Sequence, residues 1–193
     1  MTLKPLFDSW RAYVSGRQEP VLKEWLEGFD WDLPEAVLAP VQFHATRHLP
    51  ACQDFAGSAE TNLVQTLIES AENVHWIQMW EPEDFGQYFV DNYVHMQLIG
   101  PEGHFKSQQI AGGLVMYGPH THYPNHWHDA EEIYIPLTGN GLWSKDNEDY
   151  VLRDSGEFIF HESNMPHAMK CEESPMLALW MWRGGDLWQK ANY

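Results

Sequence analysis

The sequence predicts a mainly β protein, a barrel or sandwich of short strands, preceded by a helical region of roughly eighty residues. Three observations carry this expectation. Apolar residues recur at three- and four-residue spacing through the first part of the chain. From Phe89 onward, short runs rich in Val, Ile, Phe, Tyr and Trp follow one another, separated by glycine or by Asn and Asp clusters. A 44% hydrophobic fraction with ten tryptophans supplies the core that such a fold requires.

Taken in order, Leu6, Trp10 and Val14 mark one amphipathic helix, and Leu22, Leu26 and Phe29 mark a second. Looped chain with prolines at 34, 40 and 50 follows and has room for one more short helix. Leu63, Leu67 and Ile68 form the stripe of a longer helix, expected from about Ser58 to Met79 with Ser58 or Thr61 as its N-cap. The acidic run EPEDF at 81–85 reads as a solvated linker. The chain is thus expected to divide into a helical N-terminal extension, 1–85, packed on a barrel, 86–193. Within the barrel, FVDNYVHMQLIG, GHFKSQQIAGGLVMYG, EEIYIPLTGNGLWSKD, EDYVLRDSGEFIFHE and PMLALWMWRG read as strands or hairpins, with TGNG and KDNED as turns.

Composition narrows the function. The 28 acidic and 11 basic side chains leave a formal charge of −17, which repels phosphate backbones and anionic lipid. Neither nucleic acid nor a membrane is an expected partner, and the same acidity mildly favours a cationic or zwitterionic small ligand. The N-terminus MTLKPLFDSWRAYVSG lacks the apolar core of a secretory signal, and no later segment approaches eighteen uninterrupted apolar residues, so a cytoplasmic location is expected. Cys52 and Cys171 form no CxxC motif and offer no disulfide framework.

HYPNHWHDAEEIY, residues 122–134, concentrates three histidines, an aspartate, two glutamates and two tyrosines. Within it, His126, His128 and Glu132 form H-x-H-x-x-x-E, and His167 lies 35 positions beyond Glu132. Three imidazoles and a carboxylate suit one divalent or trivalent transition metal ion, such as zinc, iron, manganese or nickel. In extended chain, residues two apart share a face, so His126, His128, Glu132 and Tyr134 would project into one cavity and Glu131 away from it. A one-residue bulge between His128 and Glu132 would reverse that choice and leave Glu131 as the ligand.

The stretch GPHTHYPNHWHDAEEIYIPLTG, Gly118 to Gly139, resembles the first signature motif of the cupin superfamily, and GEFIFHESNMPH, Gly156 to His167, is similar to the second. The second departs from the family pattern where Glu162 and Asn164 replace proline and glycine, and where Cys171 replaces asparagine. The resemblance implies a cupin barrel, a double-stranded β-helix or jelly roll, with His126, His128, Glu132 and His167 as ligands. A helical region before the barrel and the run YPNHWHDAEEIY further resemble the bacterial cupin-type lyases that cleave dimethylsulfoniopropionate (DMSP) to dimethyl sulfide and acrylate. That family carries a tyrosine two positions after the ligand glutamate and another three before the first histidine, matched by Tyr134 and Tyr123.

The resemblance implies a small zwitterionic sulfonium substrate and a β-elimination, in which a base removes the proton next to the carboxylate. A tyrosinate has the strength for this. Ionising a tyrosine near pH 8 requires a shift of about two units, or ~2.7 kcal/mol, which a nearby metal cation supplies. Tyr134 is the candidate base, and Tyr123 a second phenol to hold substrate or assist proton transfer. Trp180, Trp182 and Trp143 are candidate aromatic faces for the sulfonium. His120, His122 and His161 lie near the motifs and are expected as exposed loop histidines, with support of the metal ligands by hydrogen bonding as the alternative, and His95 and His104 show no pattern. Cupins serve many chemistries, so a sugar isomerase, an iron dioxygenase and a non-catalytic metal- or metabolite-binding protein stand as alternatives.

Overall fold

The computed structural model of the protein describes residues 2–193. Ten strands form two sheets. One sheet has six strands: β1 (Tyr93–Gly100), β2 (Phe105–Lys106), β3 (Ile110–Tyr117), β5 (Glu131–Pro136), β8 (Ile159–His161) and β10 (Met176–Arg183). Its spatial order is β2-β1-β3-β10-β5-β8. The other has four: β4 (His122–His126), β6 (Gly141–Lys145), β7 (Val151–Arg153) and β9 (His167–Cys171), in the order β4-β9-β6-β7. A jelly-roll barrel results.

Every residue of β1 and β3 is buried, because both faces of the six-stranded sheet are covered. Val94, Met96 and Leu98 of β1, with Leu114, Met116, Leu177 and Leu179, pack outward onto Leu6, Trp10, Val14, Leu63 and Leu67 of the helical segments. Their alternates Tyr93, Val115, Tyr117, Tyr134, Ala178 and Trp180 face inward, where they meet Trp143 and Met169 of the four-stranded sheet. Period-two alternation therefore separates two apolar cores rather than a core from solvent. The helices α1 (Lys4–Gly16) and α2 (Pro20–Leu26) fall where the apolar spacing predicts, and both begin at a proline-bearing first turn. Phe29 lies beyond α2 and is buried edge-on against Trp31, 4.8 Å between centroids. In the proline-rich stretch, a 3-10 turn at His44–His48 runs into α3 (Leu49–Cys52).

Four expectations need correction. The long helix is α4 (Thr61–Ser70), a 3-10 turn takes Ala71–Asn73, and the chain is then extended, with Ile77 bridging His95 of the barrel. The β-branched and aromatic run VHWI favours that pairing over another helical turn. Neither expected residue caps α4. Glu60 precedes the helix, while Thr61 is its first residue and donates its hydroxyl to the Gly57 carbonyl at 2.9 Å.

The acidic run is a capped turn and not a free linker. Over α5 (Pro82–Phe85), the Asp84 carboxylate accepts from the Glu81 amide at 2.9 Å, the Lys190 ammonium at 2.6 Å and the Tyr193 hydroxyl at 2.7 Å. These contacts hold Asp84 down near a pKa of about 2, the Glu81 amide contributing most. Residues expected to open the first strand instead form α6 (Gln87–Asn92), so helix continues to the threshold of β1. Both cysteines are free and buried, and among the described residues no helix is long and apolar enough to cross a membrane.

Candidate metal centre and active site

Strand register assembles the site. On the inner face of the six-stranded sheet, Glu132 lies between Trp182 of β10 and His161 of β8, and Tyr134 lies between Trp180 and Ile159 in the next row. Across the barrel, His126 of β4 pairs with His167 of β9. The chain is not one continuous strand from His126 to Tyr134. It ends β4 at His126, turns, and re-enters as β5 at Glu131, so His128 reaches the site from that turn rather than from the strand face shared with His126. Facing nitrogens and carboxylate oxygen of His128, Glu132 and His167 then lie within 4.8 Å of one another, all three residues buried.

The two adjacent glutamates part company here. Glu132 is 2% exposed, whereas Glu131 points outward and pairs with Arg183 at 3.2 Å. The turn before His167 keeps its shape despite the departures from the cupin motif. Asn164 takes the left-handed conformation, φ 61°, that a glycine would otherwise occupy, and asparagine tolerates it well. Its amide donates to the His128 carbonyl at 2.9 Å, tying the two ligand-bearing turns together.

Hydrogen bonds set the imidazole tautomers. Nδ1 of His126, His128 and His167 each lies 2.9 Å from a backbone carbonyl, of Pro124, Ala130 and Met165 respectively. A carbonyl only accepts, so each Nδ1 carries a hydrogen and Nε2 is the nitrogen left to meet Glu132 or a cation. Nε2 of His128 and of His167 both stand 3.0 Å from Oε2 of Glu132, the latter without hydrogen-bond alignment. Burial alone would raise the Glu132 carboxyl, but the two imidazoles outweigh it and hold the group well below the usual carboxylate range. A buried carboxylate beside inward-facing imidazole nitrogens fits a borderline transition metal cation.

His126 stands beside this trio. Its ring lies 4.1 Å from His167 and stacks on Tyr123 at 3.7 Å. Burial, reinforced by His167, pushes its pKa well below the ordinary histidine value and keeps it neutral. His161, expected on an exposed loop, is instead 1% exposed and stacked on His167 at 4.1 Å, with neither ring nitrogen partnered. His120 and His122 remain outside the barrel, near Glu173 and Tyr150.

A narrow pocket opens beside the trio, with His128 and Glu132 themselves in its wall. Tyr134, Tyr123, His126, Trp180 and Trp182 line it. Trp143 does not. It is buried beneath Tyr134, 6.1 Å between ring centroids, and belongs to the inner core. Burial and then the Glu132 carboxylate push the Tyr134 phenol well above its ordinary value, and burial does the same to Tyr123. Ionising Tyr134 would therefore demand more than the two units an open phenol needs, and a cation beside Glu132 would lower that demand.

Further lining residues come from Tyr93, His95 and Gln97 on β1, and from Trp188 and Lys190 near the C-terminus. The first three were legible in YVHMQLIG, where they alternate with Val94, Met96 and Leu98 and so share one face. Nothing local marks the C-terminal pair. Burial lowers His95 to a pKa of about 4. Unfolded, a histidine titrates near 6.5, so between pH 6.5 and about 4 the unfolded chain binds a proton that the folded one refuses. Stability is expected to fall as pH falls through that window, by roughly 3 kcal/mol for this residue. Urea unfolding of the protein and of His95→Gln at pH 7 and pH 4.5 checks it: the variant should lose less on acidification, and equal losses would remove His95 from the account.

A family model for dimethylsulfoniopropionate lyase matches residues 32–178, which span both ligand-bearing motifs and most of the barrel. The chain belongs to that family. Its members are carbon–sulfur lyases, and the jelly roll described above is the cupin barrel that the two motifs led one to expect. The dimethylsulfoniopropionate lyase DddQ of Ruegeria pomeroyi is 28% identical over 167 residues, covering 86% of this chain and 83% of its own. The crystal structure of DddQ from Ruegeria pomeroyi superposes with a TM-score of 0.88 at 26% identity, over 98% of this chain and 94% of that one. A structure reported with the lyases RdDddP and RnDddQII gives 0.89 at 26% identity, over 98% and 96%. In this lyase-family chain, similarity thus extends through the helical segments as well as the barrel.

Proposed function

We propose that the chain cleaves dimethylsulfoniopropionate to dimethyl sulfide and acrylate by metal-dependent β-elimination. The observation that carries the reading is the trio His128, Glu132 and His167 converging beside Tyr134 on one aromatic-lined cavity. These three residues would hold one first-row ion, zinc, iron, manganese or nickel, with His126 adjacent as a fourth donor. When bound, the cation supplies Lewis acidity, offsetting the Glu132 charge that keeps Tyr134 protonated and stabilising negative charge on the substrate carboxylate.

Tyr134, as the phenolate, takes the proton from the carbon next to the carboxylate. The electron pair of that C–H bond becomes the new carbon–carbon double bond, and the β-carbon–sulfur bond breaks with its pair going to sulfur. Neutral dimethyl sulfide departs from what was a sulfonium cation. Trp180, whose ring faces the cavity one strand over from Tyr134, stabilises the cation before it leaves by about 0.5–2 kcal/mol. Tyr123, stacked on His126, holds substrate against that wall. The N-terminal helices pack on the outer face of the six-stranded sheet, away from the Tyr134 and Glu132 face.

Headspace gas chromatography of the purified protein, stripped and reloaded in turn with zinc, iron, manganese and nickel, tests the proposal. Dimethyl sulfide and acrylate in equal amounts are expected with at least one ion. No gas with any of them would sink it.

A further inference from the structure

Trp182, which alternates with Trp180 in LALWMWRG, is expected to offer an aromatic face to the sulfonium. Its contacts assign it elsewhere. The indole Nε1 donates to Oε1 of Glu132 at 2.7 Å, while Oε2 of the same carboxylate faces His128 and His167. The ring also packs, tilted, against His128, 4.2 Å between centroids. An indole N–H can only donate, so it engages one carboxylate oxygen permanently and leaves the other for the ligand point.

The next residue does the complementary task on the other face. Trp182 lies opposite Glu132 and Arg183 opposite Glu131 in the β10–β5 register. Arg183 holds Glu131 at 3.2 Å and Glu24 of α2 at 3.0 Å, outside the barrel. Consecutive residues of one strand thus sort consecutive glutamates of its neighbour, one inward and one outward. We propose that Trp182 is a positioning residue for the metal centre, which aims Glu132 and restricts it to one ligating oxygen, rather than a contact for the sulfonium.

This inference rests on the metal reading above. Its test is the affinity of the purified protein for zinc and cobalt, measured by competition with a chromophoric chelator, in the wild type, Trp182→Phe and Trp182→Gln. Phenylalanine keeps a ring and loses the donor. Glutamine loses the ring but carries an amide donor the same number of bonds from the backbone. Trp182→Phe is expected to bind either ion about 10- to 100-fold more weakly and to show an altered cobalt absorption spectrum, with the KM for substrate little changed once the site is saturated. Trp182→Gln should recover part of the affinity. A Trp182→Phe variant with wild-type affinity and spectrum and a raised KM would overturn the inference and return Trp182 to the substrate. Should a variant fold poorly, the indole N–H resonance of Trp182 in the wild type decides: it should be protected from exchange and shift on loading, and an unshifted, freely exchanging signal refutes the assignment. A wild type that binds neither ion would instead defeat the metal reading itself.

Discussion

Tyr134→Phe should lower dimethyl sulfide release by about 10³-fold at saturating substrate, within the range that loss of a general acid–base group produces. The substitution removes one oxygen from a ring that is 5% exposed and packed near Trp143 and His161, so the barrel and the bound metal should survive it. Metal content by elemental analysis and near-ultraviolet circular dichroism check that. A change confined to KM would remove Tyr134 from the chemistry. Tyr123→Phe is the useful contrast, because a residue that only holds substrate loses KM before kcat.

Glu132→Ala is expected to abolish both metal binding and turnover. The carboxylate faces two imidazole nitrogens at 3.0 Å each, and its loss leaves a neutral pair with far weaker hold on a cation. In the wild type, a metal at 100 times its dissociation constant stabilises the fold by about 2.7 kcal/mol, and this gain should vanish in the variant. Thermal unfolding with and without added metal measures it directly. Glu131→Ala should keep the metal-dependent gain, since Arg183 holds that side chain outside the barrel. Loss of metal in Glu131→Ala with retention in Glu132→Ala would exchange the two residues' roles.

Much of the architecture was legible in the chain. The change from helical to strand periodicity, the two glycine-bounded motifs and the lyase-like run around Tyr134 all pointed to the family that the comparisons then established. Alternation within β1 marked an inward face of Tyr93, His95 and Gln97, though its polar members went unread. Short segments misled. QYFVDN carries β-forming residues yet is helical in α6, and EPEDF carries charge yet folds as a capped turn against the C-terminus. In α6 the Arg47 guanidinium, distant in sequence, donates to the Asp91 carbonyl and the Asn92 side chain, whereas EPEDF is set first by its own capping box and then by Lys190 and Tyr193.

By itself, then, the sequence put Glu132 and Tyr134 on one face of a strand and Glu131 on the other, while leaving open, through a one-residue bulge, which face meets His126 and His128. It could not say who stands beside them. Trp182 and His161 flank Glu132 only because β10 and β8 run next to β5 in one particular register, and a slip of one residue would have replaced both. Trp143, similar to Trp180 in its local pattern, lies in the core because β6 belongs to the opposite sheet. Periodicity is a property of one chain segment, whereas register is fixed by closure of the barrel between segments about fifty residues apart, and only the tertiary structure carries that.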